Sequence, residues 1–109
     1  MNEKDKKIIA DFKSRIPPEI RGSVKKIIVF GSRARGEERE DSDLDMAVLV
    51  EEKLPELEEK LDDIAYSVMW DHDFSPIISL KVFSEKRFAD LLARGFSFYK
   101  HVQNEGVSI

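Results

Sequence analysis

The sequence of 109 residues contains no cysteine, and this absence excludes several kinds of chemistry. Without cysteine the chain forms no disulfide, holds no zinc ion through thiolates and has no thiol nucleophile. Long apolar runs are also missing: none approaches the ~20 residues that a membrane-spanning helix needs, and the N-terminus does not resemble a signal peptide. We therefore expect a cytoplasmic location, and the length predicts one domain over residues 1–109.

An excess of positive charge is missing as well. The chain has 18 Lys and Arg against 22 Asp and Glu, which gives a formal net charge of −4. Because proteins bind nucleic acids largely by neutralising phosphates with Lys and Arg, this balance argues against strong general nucleic-acid binding. Arg33, Arg35 and Arg39 lie close enough in the sequence to form a local basic patch.

The spacing of apolar residues predicts strands that alternate with helices, which is typical of an α/β layered fold. One amphipathic helix is expected over residues 3–16, a second begins at Pro55, and a third follows Ser84 as its N-cap. Strands are expected over residues 24–30, 44–50 and 76–83. The tail is expected to add a helical turn at 96–102 and a short strand at 106–109.

One stretch of the chain places a pair of carboxylates at the start of a predicted strand: Asp43 and Asp45, within Ser-Asp-Leu-Asp. Residues i and i+2 of a strand share a face, so the two carboxylates are expected to lie close together and to repel. A divalent cation removes that repulsion, and carboxylate oxygens suit Mg²⁺ or Mn²⁺. Asp-x-Asp alone is common and fits a solvated strand terminus equally well.

The preceding strand leads into a second element, the run Gly-Ser-Arg-Ala-Arg-Gly from Gly31 to Gly36. Gly31 lets the backbone approach a ligand closely, and Ser32 offers a hydroxyl at the start of a short helical turn predicted over residues 32–36. A lone Gly-Ser is an ordinary strand-to-helix turn. Together with the carboxylates, it favours phosphoryl or nucleotidyl transfer. The chain has no Gly-x-x-x-x-Gly-Lys-Ser/Thr sequence, which excludes a P-loop.

The joint pattern of residues 31–45 resembles the minimal nucleotidyltransferases (MNT) of the DNA polymerase β-like superfamily, in particular the antitoxin partners of HEPN-domain toxins. The resemblance extends from Val24 to about Gly106, with a motif core at 24–50. It implies a nucleotidyltransferase fold, a small mixed β-sheet flanked by helices. It also implies ATP as the nucleotide and two metal ions, Mg²⁺ or Mn²⁺, held by Asp43 and Asp45.

The same resemblance assigns Gly31 and Ser32 to nucleotide phosphate binding, with Arg33 and Arg35 as further candidates for phosphate or partner contacts. A solvated surface role is equally open for each arginine.

The chain departs from the superfamily at the third predicted strand, where a third catalytic carboxylate is usual. That strand contains no acid, and Ser79 and Lys81 fall on the face where an aspartate is expected. Asp73 is a candidate for the third catalytic residue if the strand starts early, and a polar loop residue is the alternative. Without a third acid, one metal ion would be held weakly.

Two functions follow from these observations. The first is an enzyme that moves AMP from ATP to a hydroxyl group, such as a tyrosine side chain of a HEPN-type ribonuclease toxin; the short chain leaves the acceptor to another protein. The alternative is an antitoxin that neutralises its partner by docking, with weak or no catalysis. Transfer to a small molecule fits less well, because such enzymes generally carry an extra domain. The nucleotide, the acceptor and self-association stay open.

Overall fold

A computed structural model describes residues 1–37, 39 and 41–109, so Glu38 and Glu40 of the predicted motif core lie outside the described residues. No helix in the described residues is long and apolar enough to cross a membrane. The helices are α1 (Glu3–Ser14), α2 (Pro18–Arg21), α3 (Pro55–Asp71), α4 (Glu85–Ala93) and α5 (Ser97–Glu105). The strands are β1 (Val24–Phe30), β2 (Leu44–Val50), β3 (Ile78–Ser84) and β4 (Val107–Ser108).

The predicted helices and strands are confirmed, with corrections at their ends. α1 ends at Ser14 rather than at residue 16, because Ile16 precedes Pro17 and the residue before a proline disfavours helical backbone. β3 begins at Ile78 rather than at residue 76, because Pro76 has no N–H to give to a strand partner. The single-turn helix α2 was not predicted; its first residue is a proline, which suits that position.

The four strands form one mixed sheet in the order β3-β2-β1-β4. β1 is antiparallel to β2 and to β4, whereas β2 and β3 are parallel and joined by α3. β2 and β3 therefore begin at the same end of the sheet, which is also where β1 ends. At that end the register places Phe30, Asp45 and Ser79 side by side on three neighbouring strands.

The two faces of the sheet are covered to different extents. On one face α1 and α3 pack over alternate strand residues to form the main core, which includes Ile8, Phe12, Val29, Met46, Val48, Leu61 and Val68. On the other face α4 and α5 contribute to a smaller buried cluster of Ile28, Ala47, Leu49, Phe88 and Val102. Because Asp45 shares its parity along β2 with Ala47 and Leu49, it belongs to this second face.

The close packing of Gly106 between α5 and β4 gives a prediction about stability. A Cβ atom at Gly106 would overlap Cγ2 of Ile28 and the carbonyl oxygen of Val102. We predict that Gly106→Ala lowers the free energy of unfolding by about 2 kcal/mol, measured by urea denaturation. Gly22→Ala is the control, since a Cβ at Gly22 meets nothing within 4 Å. Equal losses in the two variants would contradict this packing argument.

Candidate active site

The glycine-serine turn follows β1 directly and is closed by its own backbone. Gly31 has φ +79°, a left-handed conformation that glycine adopts without steric cost. The N–H of Arg35 donates to the Gly31 carbonyl at 3.3 Å, and that of Glu37 donates to the Ser32 carbonyl at 2.9 Å. Residues 32–36 thus form a hydrogen-bonded turn, which ends at Gly36 with φ +74°.

The carboxylate of Asp45 lies against this turn. A Cβ atom built on Gly31 would be 2.5 Å from Oδ2 of Asp45, closer than non-bonded atoms can approach. Glycine is therefore required at position 31 both for the backbone conformation and for the space that the carboxylate occupies. The structure brings together the predicted turn and one of the two predicted carboxylates.

The second carboxylate, Asp43, is exposed just before β2 and acts electrostatically on the first. Burial, followed by the like charge of Asp43, raises the pKa of Asp45 above its ordinary value. The charge of Lys81 and a hydrogen bond with Ser79 act in the opposite direction without cancelling this shift. A cation bound beside Asp43 and Asp45 would relieve the cost of ionising Asp45.

The position beside Asp45 on β3 is occupied by Ser79, so the strand register agrees with the predicted absence of an acid there. In residues 1–37, 39 and 41–109, no group of three or more His, Cys, Asp or Glu side chains is arranged to hold a metal ion. The structure therefore does not bring Asp73 together with Asp43 and Asp45. Asp73 is exposed in the turn after α3, with φ +56°.

Arg33, a candidate for phosphate binding, is instead buried, with 5% of its surface exposed. Its Nη1 donates to both carboxylate oxygens of Asp5 on α1, at 3.0 and 3.1 Å. Its Nε donates to the Ser42 carbonyl at 2.9 Å and its Nη2 to the Arg39 carbonyl at 3.3 Å. The guanidinium therefore ties Ser42, the residue before Asp43, to α1, which gives Arg33 a positioning role.

Asp5 was missed at the sequence level, although a signal for it exists. Acidic residues in the first turn of a helix ordinarily face solvent and interact with the helix dipole. The periodicity that places Ile8, Ile9 and Phe12 on the buried side of α1 also places Asp5 there, and Asp5 is fully buried. A buried acid requires a cationic partner, and Arg33 is that partner.

A groove of about 280 Å³ opens beside the turn, lined in part by Gly31, Phe30 and Phe98. The two phenylalanine rings meet edge to face with their centroids 5.7 Å apart. Arg35 also lines this groove, exposed and paired with Glu105 of α5 at 3.3 Å. A larger groove of about 600 Å³ contains none of the predicted site residues, so we place the site at the smaller one.

Comparison with known families and curated proteins gives two matches that span most of the chain. The family model described as "Nucleotidyltransferase domain" matches residues 5–102. The protein named putative protein adenylyltransferase MJ0141, from Methanocaldococcus jannaschii, is 36% identical over 106 residues, covering 94% of this chain and 95% of that protein.

Solved structures share the fold. One described as a putative minimal nucleotidyltransferase matches with a TM-score of 0.56 and 25% identity, over 95% of this chain and 94% of that chain. A toxin–antitoxin with AMP-PNP matches with a TM-score of 0.54 and 22% identity, over 95% of this chain and 70% of that chain. The toxin–antitoxin MntA-HpeT matches with a TM-score of 0.53 and 22% identity, over 100% of this chain and 72% of that chain. The two toxin–antitoxin matches show a common fold only.

The raised pKa of Asp45 predicts a dependence of stability on pH. The folded protein holds the Asp45 proton more tightly than the unfolded chain, so ionisation costs stability as pH rises from the ordinary value of 3.8 through the raised folded pKa. We predict that Asp45→Asn increases the free energy of unfolding at pH 7 in metal-free buffer, and that the gain shrinks as pH falls toward 3.8. Urea denaturation across this pH range measures it. The surface variant Asp90→Asn should show no such gain, and a loss of stability in Asp45→Asn at pH 7 would contradict the argument.

The buried pair of Arg33 and Asp5 gives a second prediction. Arg33→Met leaves the Asp5 carboxylate buried without a cation, and we expect a loss of about 3–5 kcal/mol in the free energy of unfolding. Arg35→Met, two residues further along, removes an exposed guanidinium and should cost less than about 1 kcal/mol. Urea denaturation of both variants measures the difference, and similar losses would show that the Arg33 pair does not hold the loop.

Proposed function

This chain belongs to the nucleotidyltransferase domain family, and we propose that it transfers AMP from ATP to a hydroxyl group of a protein partner, a HEPN-type toxin. The observation that carries the proposal is the contact between Gly31 and the carboxylate of Asp45, which joins an anion-binding turn to a cation-binding acid. Two likenesses support it: a relative named as a protein adenylyltransferase, and a fold shared with a toxin–antitoxin that contains AMP-PNP.

A divalent cation, Mg²⁺ or Mn²⁺, fits the donors that the site offers. Asp43 and Asp45 provide hard carboxylate oxygens, and Ser79 provides a hydroxyl on the neighbouring strand. When bound, the cation would stabilise negative charge on the phosphate oxygens and orient the nucleotide. Because the site offers two carboxylates rather than three, we expect one firmly held ion.

The turn is the proposed site for the nucleotide phosphates. Gly31 presents no side chain to a phosphate, and Ser32 contributes its hydroxyl and backbone. Arg33 acts indirectly in this proposal, since its bond to the Ser42 carbonyl fixes the residue before Asp43. The groove between the turn and α5 adjoins the phosphate site, and its phenylalanine walls suit the flat adenine ring.

The partner provides the acceptor. Its hydroxyl oxygen forms a bond to the α-phosphorus of ATP, the bond from that phosphorus to pyrophosphate breaks, and the hydroxyl proton passes to a base. In the described residues no third carboxylate stands beside Asp43 and Asp45 to take this proton. We therefore expect slow transfer unless the partner contributes a base.

Docking without transfer is the second candidate, and one observation favours it. On β3, Ser79 pairs with Asp45 and Lys81 with Ala47, so no acid lies on the strand face where a catalytic acid is expected. A pure docking protein, however, gains nothing from two acids that repel each other and destabilise the fold.

A labelling experiment separates the two functions. The chain is incubated with ATP labelled at the α-phosphate, Mg²⁺ and the partner that the proposal requires, a HEPN-domain protein. We predict that the label appears on the HEPN-domain protein, and that Asp43→Asn lowers the rate by roughly 10²–10³-fold, because it removes one of the two cation ligands. If the complex forms and label never appears, docking is the function.

A matched glycine pair provides the control. Gly31 and Gly36 both have positive φ, so alanine strains the backbone at either position. Only at Gly31 does the added Cβ meet the Asp45 carboxylate; at Gly36 it meets nothing within 4 Å. Gly31→Ala should therefore abolish labelling, whereas Gly36→Ala should retain it. Loss of labelling in both variants would attribute the effect to the backbone alone.

A further inference from the structure

Three aromatic side chains form a row along α3 and the turn that follows it; the first two are exposed and the third is half-buried. Tyr66, Trp70 and Phe74 are spaced four residues apart, which places neighbours on one side of a helix. Tyr66 is 57% exposed and Trp70 is 65% exposed. Both rings contact Phe74 edge to face, with centroid distances of 5.6 and 5.8 Å. We call these three residues the aromatic ridge.

The ridge is held in place by the turn after α3. Asp73 and Phe74 have φ values of +56° and +54°, which residues other than glycine adopt infrequently. The N–H of Phe74 donates to the Met69 carbonyl at 2.8 Å, and this bond turns the chain back toward α3. Exposed aromatic side chains that are already ordered lose little conformational entropy when a partner covers them.

Negative charge borders the aromatic ridge. Asp62 and Asp63 lie four and three residues before Tyr66, and Asp73 lies three residues after Trp70. All three acids are exposed, and no Lys or Arg of the described residues forms an ion pair with any of them. Burial and neighbouring like charges raise the pKa of Asp62, so a cation brought beside it would be favourable.

We propose that the aromatic ridge is the docking surface for a protein partner that presents a basic amphipathic segment. Apolar side chains of that segment cover the rings, and its Arg or Lys side chains face Asp62, Asp63 and Asp73. Arginine fits particularly well, because its guanidinium also stacks on the face of an indole ring such as that of Trp70.

A second copy of this chain fits the same surface poorly. Two-fold pairing through the aromatic ridge would bring the acids that border the ridge of one copy toward those of the other. Like charges brought together in this way oppose association. The charge around the ridge therefore favours a basic partner over self-association.

The aromatic ridge leads toward the end of the sheet that carries the acid pair. Ile77, which is 44% exposed, follows the ridge by three residues. Its carbonyl accepts a hydrogen bond from the N–H of Leu44, the residue between Asp43 and Asp45, at 2.8 Å. This hydrogen bond joins the turn after the ridge to the end of the sheet that carries the acid pair, although α3 covers the opposite face of the sheet. A partner on the ridge must therefore extend around this end of the sheet to present the acceptor hydroxyl; this last step rests on the proposed function.

Two synthetic helical peptides test the docking surface on the full chain. Both peptides have leucine at the same positions. At the positions that flank the leucines, one peptide carries arginine and the other carries glutamate. Trp70 is the only tryptophan, so its fluorescence reports coverage of the ridge directly. We expect the arginine peptide to shift the emission to shorter wavelength and to bind at least about tenfold more tightly than the glutamate peptide.

Charge variants test the acids themselves. The double variant Asp62→Asn with Asp63→Asn should weaken the arginine peptide about tenfold. Glu51→Gln with Glu52→Gln removes the same number of charges where β2 ends, and should change the affinity less than about twofold. Equal affinity for the two peptides, binding of neither, or equal effects of the two double variants would overturn the proposal. So would a dimer in ultracentrifugation that Trp70→Ala dissociates.

The labelling assay distinguishes this proposal from the proposed function. Trp70→Ala should raise the KM for the HEPN-domain protein about tenfold and leave kcat and ATP affinity unchanged. If the wild-type chain transfers nothing but the peptide results hold, the proposed function fails and the docking surface stands. If transfer proceeds with an unchanged KM in Trp70→Ala, the docking surface alone fails.

Discussion

The carboxylate of Asp45 lies in space that is free only because residue 31 has no side chain. A Cβ atom at Gly31 would be 2.5 Å from Oδ2 of Asp45, so turn and carboxylate occupy adjoining positions. The antiparallel pairing of β1 and β2 brings the end of one strand to the start of the other and produces this contact. Burial and the charge of Asp43 both oppose ionisation of Asp45, and a cation bound beside the two carboxylates would offset this cost.

The residue that precedes Asp43 is held from the protein interior by a buried ion pair. Arg33 reaches from the turn to Asp5 on α1 and also binds the carbonyls of Ser42 and Arg39. An ion pair so deeply buried contributes little net stability over an apolar contact, but removal of either partner is costly. Its contribution is therefore to geometry: it sets the path of the chain into β2, and with it the position of the acid pair.

Much of this architecture follows from the sequence. The 3.6-residue spacing of Leu57, Leu61 and Val68 predicts α3, and Asp-x-Asp on a strand predicts two acids on one face. Strand order could not be predicted, because the pairing of β2 with β3 joins residues far apart in the sequence. The burial of Arg33 was not predicted for a related reason: a charged side chain near a surface motif is expected to be exposed, and its buried partner, Asp5, lies far away in the sequence on α1.

A crystal structure with Mg²⁺ and AMP-PNP would show whether the acid pair and the glycine-serine turn bind the cation and the nucleotide together. We expect one well-ordered ion within about 2.0–2.1 Å of oxygens of both Asp43 and Asp45, with the nucleotide phosphates against Gly31 and Ser32. An acid pair that binds no ion, with the nucleotide absent from the turn or bound elsewhere, would contradict this expectation.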